Sequence, residues 1–172
     1  MFDQLMSSTA LPNLHPAFIH FPVALLITAV ALDLVVVLFR RLTWLDRTAA
    51  LLYALGAIGS LAAYFSGRSA ADSMRGLSGP AQAAMWDHGD WALYTTAAFV
   101  VIAVLRGVVA WRESNSDRIR IGPLRAIVLI AALLGQGLVF ETADRGGALV
   151  FRHSIAVTTN TGGEPTRHVS SR

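Results

Sequence analysis

The chain has 172 residues, of which 54% are hydrophobic and only 15% charged, and it contains no cysteine. This composition lies outside the range of soluble domains and indicates an integral membrane protein, while the missing cysteines exclude disulfides, thiolate metal sites and thiol catalysis. All 14 basic residues are arginines, against 11 acidic ones for a net charge of +3; they are scattered between apolar segments rather than gathered on one soluble face, which excludes a nucleic-acid footprint.

Residues 1–14 carry neither a basic leader nor a small-residue cleavage site ahead of the first apolar run. That run is therefore expected to be a retained span, with 1–14 as an external N-terminal segment. Four segments reach the roughly 20 apolar residues that a spanning helix needs: Phe18 to Phe39, Thr48 to Gly67, Trp91 to Trp111 and Gly122 to Phe140. Backbone polar groups cannot go unpaired in hydrocarbon, so each span must be helical. Four helices with short connections predict an all-α, up-and-down transmembrane bundle over residues 15–157.

Pro16 suits a first helical turn, and Pro22 predicts a tilt or kink shortly after it. In the second span Gly56, Ser60, Ala63 and Gly67 fall on one face at helical spacing, a pattern that lets a neighbouring helix approach closely. Ser78-Gly79-Pro80 reads as a helix start. Pro80 to Trp111 would make about 48 Å of helix, too long for one crossing, so a break or short surface helix is expected before His88. Trp86 and Trp91 mark one membrane interface, Trp44 and Trp111 the other. The fourth helix is expected to open at Gly122-Pro123 and to end near Phe140, before Glu141, Asp144, Gly146 and Gly147. A short apolar piece, Ala148 to Val157, precedes residues 158–172, which read as a flexible polar tail.

Arginines near the spans favour one side: Arg40, Arg41, Arg47, Arg112, Arg118, Arg120 and Arg125 against Arg68, Arg75, Arg145 and Arg152. This places both termini outside the cytoplasm of a bacterial inner membrane.

Alternating helix direction then brings His15, His20, His88 and His153 to one external face, with Asp87, Asp90, Glu141 and Asp144 beside them. Neutral imidazole is the commonest metal ligand and a usual axial ligand of haem iron, and carboxylates orient such rings through the second nitrogen. The residues therefore suggest a haem b or metal site, with His20 and His88 as the first ligand pair, His15 and His153 as further candidates, and Asp90 and Glu141 as orienting carboxylates. His15 lies about 140° around the helix from His20, so the two do not face one narrow site. The alternative is that the histidines cap helices. At the opposite end, Asp33 and Arg106 each sit within a span, where charges are rare, costly and usually paired; an ion pair between the first and third helices is expected.

These residues resemble domain-of-unknown-function family 2231, a bacterial four-helix membrane family. The resemblance lies in HPAFIHFPVALLITAVALD at 15–33, SGRSAADSM at 66–74, DHGDWA at 87–92 and RGGALVFRH at 145–153. It implies four spans and sets His15, His20, Asp33, His88, Gly147 and His153 on motif positions. Ser154 and Ala156 stand where the resemblance leads one to expect glycines, and Gly89 where an acidic residue is usual. Some relatives look fused to Rieske-type or cytochrome-type domains, which implies a redox setting by association.

The leading expectation is an inner-membrane protein whose external histidines bind haem b or a metal for electron transfer with a redox protein or quinone. The rival is a non-catalytic anchor or accessory subunit of a larger complex or oligomer, with the small-residue face of the second helix recruiting another protein. No inverted repeat points to a transporter, and no serine or threonine lies in a nucleophile motif, so an enzyme acting alone is not expected.

Overall fold

A computed structural model describes residues 15–74, 76–114, 120 and 122–155, apart from the side chain of Ala17. The N-terminal segment 1–14 and the tail 158–172, for which expectations were stated, lie outside the described residues. Four helices carry the fold: α1 (His15–Leu38), α2 (Thr43–Ser73), α3 (Gly79–Glu113) and α4 (Pro123–His153). All four are long and apolar enough to cross a membrane. Helices α1 and α2, α2 and α3, and α3 and α4 pack as neighbours, and α4 closes the ring against α1. Helices α1 and α3, like α2 and α4, thus face each other across the bundle axis.

The α1–α2 pair shows how closely small residues bring helices together. A Cβ at Gly56 would lie 2.6 Å from Leu26 Cδ2, one at Gly59 3.2 Å from Pro22 Cβ, and one at Gly67 2.8 Å from His15 Cε1. Rising numbers on α2 meet falling numbers on α1, so the helices are antiparallel. Ser60 and Ala63 of the same face are buried. The small-residue face of α2 is consumed inside the bundle, which removes the expectation that it recruits another protein. Pro22 lies within α1, its ring set against Gly59.

The main core is an apolar column in which Leu26, Val30, Tyr53, Phe99, Ile102 and Val128 take part. Large side chains such as Leu38, Ile58, Val104, Leu134 and Phe140 are exposed and face outward. In water such a surface would be an aggregation hazard; against lipid tails it is the matched solvent.

Helix ends differ from the sequence expectation. Helix α3 runs without a break from Gly79, and α4 continues through Gly146 and Gly147 to His153. At 1.5 Å per residue α2, α3 and α4 are about 47–53 Å long, so each extends about 17–23 Å past a hydrocarbon layer of about 30 Å. Polar residues after Phe140 mark the membrane boundary, not the helix end, because a helix satisfies its own backbone on either side of it. Ser78 caps α3 by accepting from Ala81 N at 3.4 Å. The projecting ends carry a small core of their own, with Ala81, Leu149 and Ile155 buried against Met74 and Leu77.

Helix α4 closes with Ile155 N donating to Leu149 O at 3.0 Å and Ser154 N to Val150 O at 3.1 Å. Ser154 takes φ 52°, ψ 29°, the left-handed conformation that glycine would adopt without a Cβ penalty. The position expected to hold glycine thus makes the same turn with serine, at a cost of about 1–2 kcal/mol that burial of Ile155 against Leu149 offsets.

Because Leu26 is buried and leaves no room at Gly56, Gly56→Ala should lower stability by about 1–3 kcal/mol through overpacking. Gly107→Ala meets no atom within 4 Å and should not. Thermal unfolding of the two variants in detergent micelles compares them directly.

Candidate functional site

The end of the bundle where α1 meets α2 and α3 meets α4, named inner after the arginine bias of the sequence with the opposite end named outer, holds five buried or nearly buried charged side chains. Arg106 of α3 forks onto Asp33 of α1, with Nε 3.1 and 3.0 Å from Oδ1 and Oδ2 and Nη2 2.8 Å from Oδ1. The same Nη2 donates to Asp46 Oδ1 of α2 at 2.5 Å and to Asp46 O at 3.1 Å. Arg125 of α4 donates through Nη2 to Asp46 Oδ1 at 2.5 Å and to Glu113 Oε2 at 2.9 Å, and its Nη1 lies 3.8 Å from Asp33 Oδ1. One network thus spans both diagonals, α1 to α3 and α2 to α4. Asp46 stands in the first turn of α2, where the helix dipole favours a carboxylate.

Asp33 and Arg106, read from the sequence as a pair, meet. Asp46, Glu113 and Arg125 were not recognised as their partners, because each stands within a few residues of a helix end and reads as an interfacial charge. The available signal was topological: alternation of four spans puts 33, 46, 106, 113 and 125 at the same end.

The outer end holds the imidazoles. His15 is half-buried at the start of α1, its Nδ1 3.0 Å from Ser66 Oγ; that hydroxyl already donates to Ala63 O at 2.9 Å, so the ring N–H is the donor. His88 of α3, also half-buried, donates from Nδ1 to Thr142 O of α4 at 3.1 Å. Its ring rests on Gly146, where a Cβ would lie 3.1 Å from Cε1. The His15 ring rests likewise on Gly67 of α2. The two rings belong to diagonal helices and lie at the same end of the bundle.

His20 is exposed, and its Nδ1 donates to Pro16 O of its own helix at 2.7 Å. The 140° turn between His15 and His20 sends the first inward and the second outward, so the half-buried rings at this end are those of His15 and His88, not His20. His153 lines an open cleft of about 300 Å³ between α3 and α4, with Asp87, Glu141, Asp144, Arg145 and Arg152. Neither of the two carboxylates expected to orient the rings is seen bonded to one. Glu141 pairs with Arg145, which also donates to Asp87 Oδ2 at 2.7 Å and lies 4.2 Å over the Trp91 ring; Asp90 is exposed. The rings are held instead by a hydroxyl and a carbonyl. Among the described residues no three histidine or carboxylate groups are placed to hold a metal ion together.

A family model described as a predicted membrane protein, DUF2231, matches residues 11–159. The chain belongs to this family. Both ends of the bundle just described lie inside the matched span, so the DUF2231 unit includes the charge network and the outer imidazoles alike. No curated protein and no solved structure matches the chain.

Removing one partner of a buried ion pair strands the other, at about 3–5 kcal/mol. Asp33→Asn and Arg106→Gln should each destabilise by that amount, and the double variant by clearly less than the sum, as unfolding in detergent will measure. Near the outer face, burial pushes the His15 imidazole below its ordinary value of 6.5, outweighing the opposing effect of the Ala63 carbonyl. A lowered folded value means that the unfolded chain binds the proton first. The His15 contribution is therefore complete above about pH 6.5 and is lost as pH falls through the lowered folded value. Unfolding temperature should drop between about pH 7.5 and pH 5, and less so in His15→Gln.

Proposed function

We propose that this DUF2231 protein is an electron-transfer subunit of the bacterial cytoplasmic membrane, with both termini outside the cytoplasm, in which His15 and His88 hold a haem b or a metal ion at the outer face. The observation that carries the reading is that these two imidazoles, on diagonal helices, are both half-buried at the same end of the bundle, each seated on a glycine of a neighbouring helix. The donor chemistry fits. With Nδ1–H given to Thr142 O, His88 is fixed in the tautomer whose Nε2 is the basic nitrogen, as in histidines that ligate metals. Each ring is seated against a glycine, Gly67 or Gly146, whose missing Cβ leaves the room that the imidazole takes.

The ligand pair is accordingly His15 and His88 in place of His20 and His88, with His20 and His153 on the rim. Haem bound there would supply one-electron chemistry. The protein's own contribution is to orient the rings through Ser66 and Thr142 and to shield them among the projecting helix ends. The charged rim at this end, where Arg145 pairs with Asp87 and Glu141 beside Asp90, Asp144 and Arg152, is where a redox protein or quinone would meet the site.

A second reading is a non-catalytic membrane anchor or accessory subunit. It is favoured by the fact that His15, His20 and His88 each already bond a helix oxygen, as structural caps do.

An absorbance spectrum of the purified protein, oxidised and then reduced, separates the two readings. The first expects Soret and α bands, lost or shifted in His15→Ala and in His88→Ala but kept in His20→Ala. Colourless, metal-free protein, or bands unchanged in both ligand variants, would leave the anchor reading.

A further inference from the structure

The inner network turns its charges into the bundle, which leaves the outward surface of this end with charge of one sign. Among the described residues, the carboxylates there, Asp33, Asp46 and Glu113, all pair with Arg106 or Arg125. Arg40, Arg41, Arg47, Arg112 and Arg120 are exposed, and none of their side chains has an ion pair or hydrogen bond to a described residue. The outer end differs: Arg145 lies on Asp87 and Glu141, and Arg68 lies 5.6 Å over the Trp86 ring.

Two of the five unpaired arginines are fixed side by side. Arg40 and Arg41 are the central residues of the turn between α1 and α2, closed by Leu42 N donating to Phe39 O at 3.0 Å. Their Cα atoms therefore stand about 3.8 Å apart. The turn is anchored on both sides, since Phe39 N donates to Val35 O at 2.8 Å and Leu42 packs against the buried Val36 and Leu45. An open pocket of about 440 Å³ lies at this turn, lined by Leu38, Phe39, Arg40, Arg41 and Leu42. Leu38 and Phe39 are 75% and 60% exposed, and Trp44, just past the turn, is 65% exposed. Aromatic rings so placed lie at the level of the lipid headgroups.

Neighbouring guanidinium groups repel one another unless an anion lies between them, and no carboxylate lines this pocket. The guanidinium fork matches the oxygens of a phosphate. Leu38 and Phe39 beside it match the first methylenes of an acyl chain. We propose that the α1–α2 turn is a binding site for an anionic phospholipid, with Arg40 and Arg41 both donating to its phosphodiester and its acyl chains lying against Leu38 and Phe39. A zwitterionic lipid carries an ammonium next to its phosphate and would bring that charge against the same two arginines. The helices on either side hold the turn, so little ordering is needed on binding. The site does not depend on which compartment this end faces, nor on a cofactor at His15 and His88, so a colourless protein leaves it standing.

The test uses the full chain in detergent micelles, titrated with phosphatidylglycerol or with phosphatidylcholine of the same acyl chains, the first bound lipid being read by native mass spectrometry. Phosphatidylglycerol should bind about tenfold or more tighter than phosphatidylcholine. Arg40→Gln/Arg41→Gln, at two exposed positions, should weaken its binding by about 25-fold, at about fivefold per arginine near an anionic lipid. Arg112→Gln/Arg120→Gln removes the same charge elsewhere on this end and should change the affinity by no more than about twofold. Phosphatidylcholine bound as tightly as phosphatidylglycerol, or equal losses in the two double variants, which diffuse surface charge would give, overturns the site.

Discussion

The fold depends on the charges that cannot leave its inner end. Three carboxylates and two guanidinium groups meet there, supplied by all four helices. Transfer of any one of them unpaired toward lipid would cost several kcal/mol. Because Arg106 and Arg125 each bridge to more than one helix, the network ties both diagonals of the bundle at once. Apolar packing in lipid has no such directional preference, since tails and side chains are equally apolar. The ion pairs therefore set which face of each helix looks inward.

That rotational setting reaches the far end of the molecule. Helix α1 turns Asp33 toward Arg106 and, close to five turns away, turns His15 toward α2 while His20 looks outward. Helix α3 turns Arg106 inward together with Phe99, Thr95 and His88. Glycines then decide how near the rings come: Gly67 and Gly146 accept an imidazole where any larger side chain would displace it. The outer imidazoles are thus positioned by two devices of different kinds, an electrostatic clasp at one end and close backbone approach at the other. Their hydrogen bonds to Ser66 and Thr142 orient the rings and satisfy one nitrogen of each.

The projecting helix ends give this site its setting. Leu149 and Ile155 pack with Ala81 into a small core beyond the hydrocarbon level, and Arg145 stitches α3 to α4 through Asp87, Glu141 and the Trp91 ring. Exposed ion pairs of this sort add little stability individually, and the small apolar core beside them does most to hold the two ends together. The imidazoles consequently sit between a polar rim and an apolar column, with His88 bonded to the Thr142 carbonyl and the Thr142 hydroxyl to that of Thr95.

Length and hydropathy by themselves determined that the chain is an all-helical membrane bundle with four spans, because an apolar run in lipid has no backbone solution other than a helix. The rarity of charge within a span was enough to single out Asp33 and Arg106. Helix ends were not legible: the polar residues after Phe140 and before Trp91 report a change of solvent, which a helix crosses without interruption. Nor were Asp46, Glu113 and Arg125 as network members, or His15 rather than His20 as the inward-facing ring of α1. Those depend on the rotation of each helix about its own axis and on glycine contacts between helices distant in sequence. Local pattern fixes the angle between residues on one helix, and only the packed tertiary structure decides where that angle points.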